Sequence, residues 1–254
     1  MPKKTTRPPT RARAQKKIRD GKDLAGNELL RDLPADERKL VFSKLELVTL
    51  KVHDVLHEAG APIRFGYFPT SGIISILSVL KDGKSVEVGL VGREGFVGLP
   101  LAVGFRSSPT RAICQASGAG FRIAASALAQ LLPLCRTLEK GIDRYSLTLG
   151  MQASQVAACN GLHEVDARLA RWLLMCHDRL DRDSVPITQE FLSQMLGIRR
   201  ASVTVAAGEL QKAGLIGSTR GEVTILNRKG LEGLACECYG IINRQIESWR
   251  KDVR

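Results

Sequence analysis

The sequence predicts an α+β protein in three parts: an N-terminal antiparallel, jelly-roll-like β-roll, a long helix, and a C-terminal winged helix. Three observations carry this. Between Leu45 and Ile123, short extended runs alternate with glycines and turns. From Leu134 to Cys159, apolar residues recur at spacings of four and three. From Ile187 to Ile216, two short helices meet at a glycine, and a hairpin follows them. The expected divisions are a basic tail over 1–26, the β-roll over 27–133, the long helix over 134–163, the winged helix over 164–230 and a terminal helix over 231–254.

With 254 residues, 44% of them hydrophobic, the chain is long enough for two domains with ordinary cores. The formal charge of +12 suits a polyanionic partner, and it is unevenly placed. Residues 1–26 carry nine Lys/Arg against two acidic residues and almost nothing apolar, so this tail cannot fold alone. It reads either as an arm adding salt-sensitive, sequence-independent affinity for DNA or as a solvated leader. It lacks the apolar centre of a secretory signal, and no segment approaches the ~20 apolar residues of a membrane span. The expected location is the cytoplasm, without membrane contact.

Pro34 opens a short helix running from Ala35 to Lys44. The candidate strands are Leu45–Leu50, Val55–His57, Phe65–Phe68, Gly72–Leu80, Ser85–Val91, Arg111–Ala116 and Phe121–Ile123. The clearest hairpin turns at Asp82-Gly83, between flanks that carry apolar residues at alternate positions. Gly89, Gly92, Gly95 and Gly98 read as bends, since neither a P-loop nor a dinucleotide fingerprint is present.

In the long helix, Leu138, Ile142, Tyr145, Leu149, Gln152 and Val156 form a heptad-like seam, which predicts parallel pairing with a second copy. Glu164–Leu180 is amphipathic, with Val165, Leu169, Trp172, Leu173 and Cys176 on one face, and forms the first helix of the last domain.

The helix pair follows. Thr188 is an N-cap, Glu190 sits in the first turn, and Phe191, Leu192, Met195 and Leu196 face inward. Gly197 supplies the left-handed stop. The second helix opens with Arg199 and Arg200 and buries Val203, Ala206, Ala207 and Leu210. Its outer side presents Arg200, Ala201, Thr204, Val205 and Gly208, the arrangement that suits a DNA major groove. Leu215-Ile216 and Glu222–Leu226 then form a wing with Arg220 at its tip, near phosphates. A terminal helix runs from Leu231 to Trp249, covering either its own domain or a partner.

The six cysteines are scattered and read as small buried hydrophobes. Cys236 and Cys238 form a C-x-C pair, too close for a zinc knuckle without further partners. No metal site and no cofactor are identified. A metal enzyme of the cupin kind would need clustered histidines, and none occurs from Phe65 to Ile123.

This order of parts, and above all Ile187-Thr-Gln-Glu, Gly197-Ile-Arg-Arg-Ala-Ser-Val203 and Gly214-Leu-Ile216, resembles the CRP/FNR family of bacterial transcription regulators from about Asn27 to Leu226. The resemblance implies a homodimeric, non-enzymatic regulator that reads a palindromic operator in double-stranded DNA. RNA polymerase and a small effector of unnamed identity are the further partners it admits. It also implies that Thr188 and Ser202 touch phosphate and that Arg200 reads a guanine. Ala201 and Val205 replace charged base readers, so the operator should differ, with A·T pairs favoured through thymine methyls.

In cyclic-AMP-binding members a Gly-Glu-Leu stretch is followed by Arg-Ser or Arg-Thr. Here Gly98-Leu99-Pro100 and Thr110-Arg111-Ala112 stand instead, and Leu99 cannot accept the ribose hydroxyl. The β-roll is therefore expected to be cyclic-nucleotide-binding-like in fold without binding cyclic AMP. No cysteine precedes Cys114, which argues against an N-terminal iron–sulfur cluster. A ligand-independent DNA-binding dimer is the remaining alternative.

Overall fold

The computed structural model describes residues 26–252, so the predicted basic tail falls, but for its last residue, outside them. Two short helices, α1 (Glu28–Arg31) and α2 (Ala35–Phe42), lead into strands β1 (Glu46–Leu50), β2 (Val55–His57), β3 (Phe65–Pro69), β4 (Ile73–Val79), β5 (Ser85–Val91), β6 (Thr110–Ala116) and β7 (Gly118–Ala124). Each strand lies within a residue or three of its predicted limits. The strands pair antiparallel in two sheets, ordered β1-β7-β3 and β2-β6-β4-β5. One core, with Phe68, Phe96, Phe121 and Ile123 fully buried, fills the roll. The β4–β5 hairpin turns where Asp82-Gly83 predicts, with Leu80 N–H donating to the Lys84 carbonyl.

A helix not anticipated, α3 (Ala125–Leu131), closes the roll by burying Leu128 and Leu131. The long helix is α4, Arg136–Leu162. Its first residue follows Cys135, which gives no side-chain cap. Glu37 of α2 supplies one instead, its carboxylate accepting from the N–H groups of Thr137 and Leu138.

The seam of α4 corrects the expectation of a partner helix. Leu138, Ile142, Tyr145, Gln152 and Val156 are buried within one chain, and Leu149 is half-buried. The first three, with Leu149, pack on the roll. The reason lies in two of the glycines. A Cβ at Gly89 would stand 2.7 Å from Leu149 Cδ1, and one at Gly95 would stand 2.1 Å from Tyr145 Cζ. These glycines are receiving surfaces for the helix rather than bends. What α4 leaves outside is the opposite stripe: Lys140, Asp143, Arg144, Leu147, Gly150, Ser154, Ala157, Ala158 and Gly161.

Helix α5 (Val165–His177) begins the last domain, followed by β8 (Ser184–Pro186), α6 (Gln189–Leu196), α7 (Arg200–Lys212), β9 (Ile216–Thr219) and β10 (Glu222–Ile225). A second core joins Leu169, Trp172 and Leu173 of α5 to Leu192, Met195, Val203 and Leu210, and continues onto Ile73, Leu77 and Leu90 of the roll. Trp172 Nε1 donates to Glu87 Oε1 of β5 at 2.8 Å across that junction.

The single terminal helix predicted from Leu231 is also corrected. It is two helices, α8 (Arg228–Leu234) and α9 (Cys238–Asp252), separated where Ala235 turns extended (ψ 143°). Helix α9 packs on this chain's own α4 and α5. Among the described residues no helix is long and apolar enough to cross a membrane.

Candidate nucleic-acid interface

The helix pair forms for local reasons. Thr188, extended at φ −89°, accepts the N–H of Phe191 on its Oγ1 at 3.1 Å and so caps α6. Gly197 takes φ +64°, and the N–H groups of Gly197 and Ile198 return to the Gln194 and Ser193 carbonyls. That left-handed residue aims the chain into α7. Arg199 is the extended residue before α7 (ψ 143°), not its first helical residue, and offers no side-chain cap. The start of α7 therefore combines unanswered N–H groups with Arg199 and Arg200, both exposed, a setting that favours anions.

The wing is the β9–β10 hairpin, turning at Arg220-Gly221, and β8 extends it to a three-stranded sheet in the order β8-β10-β9. Helix α7 and the wing enclose a cleft of about 350 Å³, and Thr188, Arg200 and Arg220 all line it. Ala201, Ser202, Thr204 and Val205 stand on the exposed side of α7, with Val205 66% exposed although apolar. Thr204 differs from its neighbours: its hydroxyl donates to Gln189 Oε1 at 2.9 Å, tying α7 to α6. Arg200 is held only loosely, 4.0 Å from Glu190, so its fork is available. The DNA-binding residues predicted from sequence thus fall on the cleft or on the outer face of α7, with Arg199 exposed just before that helix.

A second cavity, of about 290 Å³, lies between the roll and α4 and is lined by Ile76, Val88, Phe96, Leu99, Leu149 and Ala153, with His57, Ser108, Thr110 and Ser146 as its polar members. Among the described residues neither a carboxylate nor a guanidinium lines it. Arg111 points elsewhere, paired with Glu58 at 2.7 Å. Burial holds the His57 imidazole below its ordinary pKa.

Residues 167–234 match the Crp-like helix-turn-helix domain family. The last domain is thus similar to a Crp-like helix-turn-helix. Over about three quarters of the chain the fold agrees with solved structures. FixK2 of Bradyrhizobium japonicum shares 16% identity, over 76% of this chain and 98% of its own, at a TM-score of 0.65. The c-di-GMP-responsive global regulator CLP of Xanthomonas campestris shares 17%, over 76% and 99%, at 0.61. A CRP/FNR-family regulator of Thermus thermophilus shares 23%, over 75% and 98%, at 0.60. No curated protein matches the sequence significantly.

Proposed function

We propose that this CRP/FNR-type chain is a sequence-specific transcription regulator acting as a homodimer on a palindromic operator. The observation that carries the reading is the convergence of Thr188, Arg200 and Arg220 on one cleft beside the free outer face of α7. Arg200 reads a guanine edge, while Thr188, Ser202 and Arg220 hold phosphates. Ala201 and Val205 lie against thymine methyls. The two copies meet along the outer stripe of α4, through Leu147 and the small residues that follow it, since the inner seam is already covered by its own roll. Two recognition helices so joined would enter successive major grooves about 34 Å apart.

The effector cavity takes a mostly apolar small molecule other than cyclic AMP. Its lining supplies no acceptor for a ribose hydroxyl at Leu99 and no cation for a cyclic phosphate. One imidazole without a carboxylate is also a poor donor set for a cupin-like metal enzyme, which supports a non-enzymatic role. RNA polymerase contact and a cytoplasmic location accompany this reading. The test is recovery of bound duplexes from a random pool: an inverted repeat with guanine contacts supports it, and recovery without any consensus overturns it. Calorimetric binding of cyclic AMP at micromolar concentration would separately contradict the effector assignment.

A further inference from the structure

The break between α8 and α9 does something that the C-x-C spacing alone does not reveal. It brings Cys236 and Cys238 against Cys159, near the end of α4, and His163, the C-cap residue of that helix. The four potential ligand atoms all lie within 4.8 Å of one another, and the three thiols are buried. Cys159 Sγ is 3.4 Å from Cys236 Sγ, and Cys238 Sγ is 3.6 Å from His163 Nδ1. A tetrahedron around zinc, with Zn–S of about 2.3 Å and Zn–N of about 2.0 Å, has edges of about 3.5–3.8 Å. Two of the edges already have about that length, and the remaining ones, all within 4.8 Å, need only a small contraction. A polynuclear iron–sulfur cluster would need its ligands further apart.

The surroundings point the same way. His163 Nε2 stands 3.0 Å from Glu237 Oε2, so a metal on Nδ1 leaves Nε2–H donating to a carboxylate, the partner that metal-bound imidazoles ordinarily have. Gln155 Nε2 donates to Cys238 Sγ at 3.2 Å. Arg168 and Arg171 are buried on the neighbouring helix, and among the described residues neither hydrogen-bonds a carboxylate, although Arg171 lies near Glu87. Arg168 donates to Asn160 and the Leu196 carbonyl, and Arg171 to Met175 Sδ. Each leaves its Nε without a hydrogen-bond partner among the described residues. Buried cations call for an anion, and three thiolates with one divalent cation supply a net single negative charge.

We infer that Cys159, His163, Cys236 and Cys238 bind one zinc ion tetrahedrally, fastening α9 to the joint between α4 and α5. Binding releases the thiol protons and leaves His163 neutral. Because His163 lies between the helix that carries the second copy and the domain that carries α7, occupancy fixes how the winged helix hangs from α4.

The experiment is metal analysis of the full chain purified under reductant, followed by titration of chelator-stripped protein with Zn²⁺ and with Co²⁺. One equivalent of zinc per chain is expected, as is a Co²⁺ spectrum with thiolate charge transfer and the intense d–d bands of tetrahedral coordination. Cys236→Ser and Cys238→Ser should abolish both, and Glu237→Gln should weaken zinc affinity roughly 10–100-fold with ligands intact. Equal zinc uptake by both cysteine variants, a weak octahedral Co²⁺ spectrum, or stripped wild-type protein that takes up no zinc would each overturn the assignment. Should the serine variants misfold, the wild-type Co²⁺ spectrum and the Glu237→Gln titration decide it.

Discussion

The two faces of α4 differ in what covers them. The inner face is fastened to its own roll, with Tyr145 seated on Gly95 and Leu149 on Gly89. The outer face carries Leu147, 67% exposed, among Gly150, Ser154, Ala157 and Ala158. A helix with one apolar face has one job. This helix has a second stripe, of small residues that let another helix approach, so it can serve as the spine of the subunit and as the place where a copy docks.

Breaking the inner face should have the largest effect. Tyr145→Ala removes a buried aromatic ring and should cost about 3–5 kcal/mol, lowering Tm by roughly 10 °C in calorimetry. Tyr145→Phe sharpens the point. The Tyr145 hydroxyl is buried without a hydrogen-bond partner among the described residues, so losing it should leave stability unchanged or higher. A large loss in the Phe variant would mean that the ring's hydroxyl holds something on which this packing does not depend.

The outer face should respond in the opposite way. Leu147→Glu should leave the subunit's folding stability within about 0.5 kcal/mol of wild type, as surface changes do, while light scattering shows dissociation of the proposed dimer. Burying a leucine at an interface contributes about 1.5–3 kcal/mol, so dissociation should shift by tenfold or more. If the variant unfolds instead, the outer stripe is structural.

A smaller effect is expected at the junction between roll and winged helix. Burial raises the Glu87 carboxyl to about 7, although Trp172 donates to it and Arg171 and Arg179 lie nearby. A carboxyl whose pKa is raised in the folded state contributes stability that is full below the unfolded value of 4.5 and is lost as pH rises to about 7. Glu87→Gln should therefore flatten the decline of Tm between about pH 5 and 7. An unchanged pH profile would contradict the role given to this carboxyl.

How much of this was legible in the sequence depended on whether the signal was local. Thr188, Gly197, Asp82-Gly83 and Arg220-Gly221 act through their own backbone or that of close neighbours, so the caps and turns they predict are where they form. The seam of α4 was legible as an apolar face, but periodicity does not say what covers it. The deciding residues, Gly89 and Gly95, lie about fifty positions upstream and look like turn glycines. The thiol cluster was hidden for the same reason. Cys236 and Cys238 acquire Cys159 and His163 only through folding, and the extended residue at Ala235 that breaks the terminal helix carries no strong stop signal. Short elements such as α3 and β8 are shaped by the cores they cap rather than by propensity.

The central claim is that α7 reads bases through Arg200. Its most direct test is the affinity of wild type and Arg200→Ala for the recovered operator and for random duplex at physiological salt. The account predicts that the variant loses about tenfold to a hundredfold on the operator, equivalent to about 1–3 kcal/mol, while random-duplex affinity and its salt slope fall only slightly. Equal losses on both duplexes would contradict it.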